Sequence, residues 1–563
     1  MSTQDNGTGK GHCDMNWKTH EVTNVVPELK NYNLYSTDIA LQEAVRRGGG
    51  AAYEEELTRH GALLGSEEMV QMAEDANHFK PELHTFDRQG NRIDRVEFHP
   101  AWHGFMKMAR EHDLVARPFS DSRPGAWAAY AAGFSMHGQI EAGSQCPNSM
   151  TFACIPVLQK EPELFRQLAP KLYSHTYDAR DIPFEQKSSM LVGMGMTEKQ
   201  GGSDVRANST RATPLRGEGR GAVYEITGHK WFFSAPMCDA HLVLARTDKG
   251  LSCFFVPRWR PDGSKNAIHI QRLKEKVGNR SNSSSEVEFL GAWGRMVGEE
   301  GRGIPTIIEM ASYTRLNCVM GSTGTIRQAL VQSIHHARGR QAFGKYLVDQ
   351  PLMRNVLADL ALESEAATQL MMRLTEAFAR AEDSPLQRAC KRIVTPAAKY
   401  WVAKRSIELT GEAMEVFGGN GYMDEGPMGR LYREAPVISI WEGSGNVMAL
   451  DMLRAIGREP DALEALMGDL ASVCSGDARL RPSFEAIPRA LRQDGDTLEF
   501  LARREAQRLI LLVQARLLRE FAPAAVADAF IASRFDDQWG RVFGTLPAGV
   551  KVDAILERAF PPG

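Results

Sequence analysis

The strongest constraint on the fold is a change of hydrophobic period along the chain. From about Ser36 to Glu185 the apolar residues fall at helical spacing with many breaks, as in Ala40 to Arg47 and in Pro162 to Ala169. After Gln186 the texture becomes strand-like. Val223 to Thr227, Lys230 to Ser234, Leu242 to Ala245, Cys253 to Val256 and Glu286 to Phe289 are short β-rich runs between turns. From Ile304 to Leu453 the three-and-four spacing returns. Leu357, Leu360, Ala361, Ser364, Ala367, Met371, Leu374 and Phe378 mark a helix long enough for a bundle, with Pro385 in the break after it. A chain of 563 residues exceeds one ordinary core. The pattern predicts a mainly α protein with a central β barrel or sandwich, divided at 1–185, 186–300, 301–460 and 461–563. The first 22 or so residues read as a polar, disordered leader and the last hundred as a C-terminal helical extension.

Composition removes several classes. The formal net charge of −3 gives no global attraction to nucleic acid. No run of eighteen apolar residues exists, so no membrane helix is expected, and the polar N-terminus lacks the apolar segment of a secretory signal. The eight cysteines form no C-x-x-C pair, which speaks for reduced buried thiols in a cytoplasmic protein and against a metal centre. His335 and His336 are adjacent, about a hundred degrees apart on a helix, and suit packing better than ligation.

Two glycine-punctuated signatures carry the chemistry. The first is Met196-Thr197-Glu198-Lys199-Gln200-Gly201-Gly202-Ser203-Asp204-Val205, with Met194 and Gly195 just before it, followed by Gly228-His229-Lys230-Trp231-Phe232-Phe233-Ser234. The second is Phe417-Gly418-Gly419-Asn420-Gly421, followed by Ile440-Trp441-Glu442-Gly443-Ser444-Gly445-Asn446. Hydroxyls at Thr197, Ser203 and Ser234 suit a polar ring edge, the amides around Gly201 and Gly202 can approach a phosphate, and Phe232 can lie against a planar ring. Read singly, the first motif is also a glycine turn with a core phenylalanine, and Glu442 also a cap for a helix beginning near Ser444.

In this order and spacing the signatures resemble the acyl-CoA dehydrogenase superfamily from about Gly193 to Leu453. Asn31-Tyr32-Asn33-Leu34-Tyr35, the helical extension and the length resemble its AidB branch, flavoproteins of the bacterial adaptive response to alkylating agents. The resemblance implies FAD, a homotetramer, weak dehydrogenation of branched acyl-CoA such as isovaleryl-CoA, and binding of double-stranded DNA. It places both signatures on the flavin, and Arg340, Phe343, Gln350, Gly418 and Gly419 on the cofactor of a neighbouring subunit. From the residues alone, Arg340 also reads as a solvated helix end, and Glu415 stands where many relatives have glutamine.

Glu442 matches the family's base, which takes an α-proton while hydride leaves the β-carbon; burial would raise its pKa toward working pH. Ser312 stands where many relatives carry an acid that helps hold CoA. Thr314 stands where some branched-chain enzymes carry their base. From Asp461 onward there are 13 Lys plus Arg against 15 Asp plus Glu. Arg504, Arg508 and Arg519 nevertheless share one helix face over roughly 22 Å. That stripe is a candidate for duplex phosphates; a face salt-bridged to Glu505, Glu520 or another subunit is the alternative. A metabolic short- or branched-chain acyl-CoA dehydrogenase without a DNA role is the competing function.

Overall fold

The computed structural model describes residues 19–536 and 542–561. Most of the predicted leader, with Cys13, lies outside them. The N-terminal region is helical, as its spacing predicts, through Ile39–Arg47, Ala126–Ile140 and Gln145–Leu158 among others. It also holds a hairpin that the spacing did not suggest, β1 (Glu82–Phe86) and β2 (Arg92–Glu97). These short strands are half exposed and show no apolar alternation. The turn is set by Gly90 at φ +85° and by Asp87 accepting from the amides of Gln89 and Asn91.

The β unit contains β3 (Val192–Gly195), β4 (Arg211–Arg216), β5 (Val223–Ser234), β6 (Ala240–Thr247), β7 (Gly250–Pro257), β8 (Ile268–Leu273) and β9 (Ser284–Val297). Strands β6, β4, β5, β9 and β7 pair in a closed ring, with β3 against β6 and β8 against β9. Tyr224, Ile226, Val243, Phe254 and Phe289 fill its interior. The two runs predicted around Gly228 are one strand. Within it a β-bulge between Lys230 and Phe233 inserts one extra residue opposite β9. Lys230 and Phe233 therefore both point inward although three apart, and Trp231 and Phe232 are turned outward.

The second half is a bundle. Helix Gly303–Gly339 runs 37 residues, and Pro351–Ala379, Thr395–Val416 and Pro427–Ile440 pack around it. Helices Pro460–Cys474, Gly495–Phe521 and Ala524–Arg534 follow. The region after 461 is not a detached extension. Its apolar face shares one hydrophobic cluster with the N-terminal helices, from Leu29 to Phe560. Ion pairs tie the region to helix Pro351–Ala379, Arg534 with Asp359 and Glu363 and Arg558 with Glu365, and Arg558 also pairs with Glu43 of the N-terminal region.

Candidate active site

Helix Pro427–Ile440 ends at Trp441, and the next helix starts at Gly445. Between them Glu442 takes φ +59° and Gly443 φ +107°, so the connection turns through left-handed backbone. Glycine adopts this readily; glutamate seldom does and needs a surrounding that holds it. Cations supply that holding. Lys399 Nζ donates to the carbonyls of Trp441 (2.7 Å) and Gly443 (2.6 Å), and Arg315 Nε donates to the carbonyl of Glu442 itself (3.1 Å). Arg315 is anchored in turn by Asp451 at 2.7 Å.

The Glu442 carboxylate accepts a hydrogen bond from Thr314 Oγ1 at 2.6 Å. Burial raises its pKa above the ordinary glutamate range, opposed by the Thr314 bond and by the charges of Arg315 and Lys399. Cys146 is buried at the start of helix Gln145–Leu158, and its thiol, pushed up to about 11 by burial, is influenced secondarily by Ser234, by Lys276 and by the charge of Glu442.

Around Ser234 the first signature forms a rigid floor. Met194 and Gly195 are buried, and a Cβ at Gly195 would come 2.7 Å from Phe233. The next loop is pinned by Asn208, which donates to the carbonyl of Met196 (2.7 Å), and by the Trp231 amide, which donates to that of Thr197 (2.9 Å). Glu198 and Phe233 do not present their side chains to a cofactor. The Glu198 carboxylate is fully buried against Lys230 at 2.9 Å and accepts from Thr210 and Ser209. Phe233 stacks on His241 inside the barrel. Both brace the loop from behind. Lys199, Gln200, Gly202 and Ser203 are exposed, and a Cβ on Gly202 would lie 2.6 Å from the Thr197 hydroxyl.

Phe232 is 56% exposed on the outward face, with the Lys274 ammonium 4.6 Å from the centre of its ring. A planar ring system with an anionic tail fits this arrangement: a largely exposed aromatic ring, the hydroxyls of Thr197 and Ser234, and a glycine loop open to phosphate.

Most of the remaining predicted positions lie at or near the surface. Arg340 leads into a hairpin, Gln341–Tyr346, whose tip Phe343 is 99% exposed at φ +52°. Arg340 donates to the carbonyl of Asn24, and Gln350 to that of Ala342. Gly418 and Gly419 are exposed, with nothing within 4 Å of a Cβ added at either. Ile440 and Asn446 are exposed, and Gly445 is buried beside Lys404 and Tyr400. His335 bonds the carbonyl of Pro27 and His336 stacks on Phe417, so both are occupied by packing. Among the described residues no group of acidic, histidine or cysteine side chains is arranged to hold a metal, and seven cysteines are free and buried.

The sequence pattern did not reveal a cavity of about 700 Å³ between the β unit and the start of helix Gly303–Gly339. Ile304, Ile308, Ser312 and Tyr313 form one wall, and Arg206, Arg302, Lys391, Arg392 and Arg458 bring cations to it. These cations are scattered along the chain from Arg206 to Arg458, so no local motif marks them. Nor did it single out Lys399, whose one signal is a lone cation in the apolar run Ala397 to Ala403.

The adaptive response protein AidB N-terminal domain matches residues 24–179. The acyl-CoA dehydrogenase middle domain matches 193–291 and the acyl-CoA dehydrogenase C-terminal domain matches 301–457. Over 530 residues the chain is 44% identical to the AidB protein of Escherichia coli (strain K12), covering 93% of this chain and 96% of that one. The chain belongs to the AidB branch of the acyl-CoA dehydrogenase family. It is therefore a flavoprotein of an oxidoreductase family, and FAD is the cofactor that its site fits. Caenorhabditis elegans ACDH-11, solved in complex with C11-CoA, superposes with a TM-score of 0.82 at 25% identity, over 96% of this chain and 97% of that one. The Bd2924 apo-form superposes at 0.81 with 29% identity, over 88% and 99%. A Bacillus anthracis acyl-CoA dehydrogenase complexed with FAD shares the fold at 16% identity and a TM-score of 0.63.

The proposed DNA stripe is only partly free. Arg508 pairs with Glu505, and Arg519 with Asp528 and Asp477 at 2.5 and 3.3 Å. The salt-bridged alternative therefore describes Arg508, and Arg519 is paired as well, though with aspartates and not with Glu520. Arg504 is exposed and forms no ion pair among the described residues.

Proposed function

We propose that the protein catalyses α,β-dehydrogenation of short or branched acyl-CoA thioesters such as isovaleryl-CoA, with Glu442 as general base. The observation that carries this is the Glu442 carboxylate, raised in pKa and held in a left-handed turn by buried cations. Glu442 takes the α-proton; the electron pair of that α-C–H bond becomes the second bond of the enoyl product as the pair of one β-C–H bond leaves as hydride. FAD, when bound, would accept that hydride, and Phe232, Ser234, Thr197 and the Gly201–Gly202 loop would hold the cofactor. The cationic cavity takes the phosphorylated end of the thioester, supplying through Arg206, Arg302 and Arg458 the grip that Ser312 cannot. Incubation with isovaleryl-CoA in deuterated water tests the base. Deuterium should enter the α-position in the parent, and its absence would remove Glu442 from that role.

The same reading extends to a cytoplasmic homotetramer that binds duplex DNA in the response to alkylation damage, shielding it or removing the alkylating agent. The exposed hairpin tip at Phe343 supports the assembly, because an uncovered ring on a fixed turn suits a neighbouring subunit's cofactor. Exposed Arg504 supports contact with phosphates. Sedimentation of the FAD-loaded protein checks the first point and DNA titration the second.

A further inference from the structure

We infer that Lys399 is a positioning residue for the Glu442 base: its buried ammonium holds the peptide carbonyls on either side of Glu442 and thereby aims the carboxylate into the site. This rests on the reading of Glu442 as base.

Lys399 lies on helix Thr395–Val416 and is 1% exposed. An ammonium has three donors and no acceptor. All three are used: on Trp441 at 2.7 Å, on Gly443 at 2.6 Å and, more weakly, on Ser439 at 3.3 Å. A lysine that merely neutralised the end of helix Pro427–Ile440 would aim at its last-turn carbonyls. Here the two short bonds reach past the helix and bracket Glu442. Arg315 takes the carbonyl between them, so three successive carbonyls are held by two cations. Glu442 keeps φ +59° only while something outside the turn holds it there.

Among the described residues no carboxylate pairs with Lys399 directly. The groups that act on it are Arg315 and Cys318 from helix Gly303–Gly339, Lys404 one turn along its own helix, and Glu442 across the turn. Burial lowers its pKa to about 8. The ammonium thus has two effects on the base: it holds the geometry through the backbone, and its charge favours the ionised carboxylate.

The experiment uses the FAD-loaded protein and acetoacetyl-CoA, whose acidic α-proton can be removed without turnover, so that the enolate is read by its ultraviolet absorbance across pH. In the parent the bound probe should ionise, and in Glu442→Gln it should not. Lys399→Met should bind the probe within about threefold of the parent. It should need at least one pH unit more to ionise it, and isovaleryl-CoA turnover should fall at least tenfold in kcat with little change in KM. Lys399→Arg should recover most of the loss. Equal ionisation curves in the parent and Lys399→Met would overturn the proposal. A parent that binds no acyl-CoA probe, or a Glu442→Gln variant that ionises it as well as the parent, would instead sink Glu442 as base and this proposal with it. If Lys399→Met does not fold, hydrogen exchange of residues 438–446 in the parent decides. Corrected for intrinsic rate, exchange should quicken between pH 7 and 9 as Lys399 loses its proton, and unchanged protection would count against the clamp.

Discussion

The hydroxyl of Thr314 lies 2.6 Å from the Glu442 carboxylate and donates to it. A donor on the ionised form favours that form, so Thr314 opposes the desolvation that raises the Glu442 pKa. Thr314→Val keeps the shape and removes the donor. A hydrogen bond to a charged group contributes about 1.5–3 kcal/mol, which corresponds to roughly one to two pH units. The acid limb of kcat/KM for isovaleryl-CoA should therefore move upward by about that amount. Activity is present above the pKa and lost as pH falls through it, so the variant loses activity at higher pH than the parent. An unmoved limb would mean that the bond does not act on the catalytic ionisation.

Much of this was legible in the chain. Helical spacing from Leu357 to Phe378 falls within Pro351–Ala379, and the β-rich runs after Gln186 lie within one closed barrel. Local pattern did not reveal what depends on long-range partners. Glu198 sits among flavin-loop residues and reads as one of them, yet it is buried against Lys230, 32 positions away. Strict alternation would put Lys230 and Phe233 on opposite faces, and only the bulge brings both inward. Arg508 and Arg519 share a helix face by their offsets, but Asp477 and Asp528 come from neighbouring segments and neutralise Arg519.

Lys230→Met should strand the Glu198 carboxylate in the barrel wall. Both side chains are fully buried, and removing one partner of such a pair costs about 3–5 kcal/mol. Chemical denaturation should show that loss, and FAD content should fall with it, because Glu198 braces the loop carrying Gly201 and Gly202. Replacing both residues with apolar side chains of similar size should recover part of the stability. Undiminished stability in Lys230→Met would show that the pair is not needed.

Buried histidines make the fold sensitive to acid. Neither ring nitrogen of His60 has a hydrogen-bond partner among the described residues, and burial lowers its pKa well below the ordinary value, those of His137 and His336 to about 4 and that of His241 to about 3. The unfolded histidines titrate near 6.5. A depressed native pKa means that stability is full above about pH 6.5 and is lost as pH falls toward 4, because only the unfolded chain takes up the proton. Each histidine then contributes about 1.4 kcal/mol of loss per pH unit below 6.5. His60→Phe should make the fall of the melting temperature between pH 6.5 and 5 shallower, the other buried histidines keeping part of it; an unchanged slope would place the sensitivity elsewhere.

Duplex DNA binding should weaken as salt rises, and Arg504→Ser should reduce the salt slope by about one unit for each phosphate that the arginine neutralises. Arg508→Ser and Arg519→Ser should have smaller effects on binding and larger effects on stability, because both arginines already pair within the chain. Titrations at several salt concentrations separate the two outcomes. Parental affinity and slope in Arg504→Ser would remove this helix face from DNA recognition.

Anaerobic mixing of the FAD-loaded protein with isovaleryl-CoA, followed by flavin absorbance, tests the base assignment most directly. The parent should bleach. Glu442→Gln should retain its FAD and bleach roughly 10²–10⁴-fold more slowly, as expected when a general base is removed. Equal rates in the two proteins, or no bleaching of the parent with any short or branched acyl-CoA, would contradict the assignment of Glu442 as base.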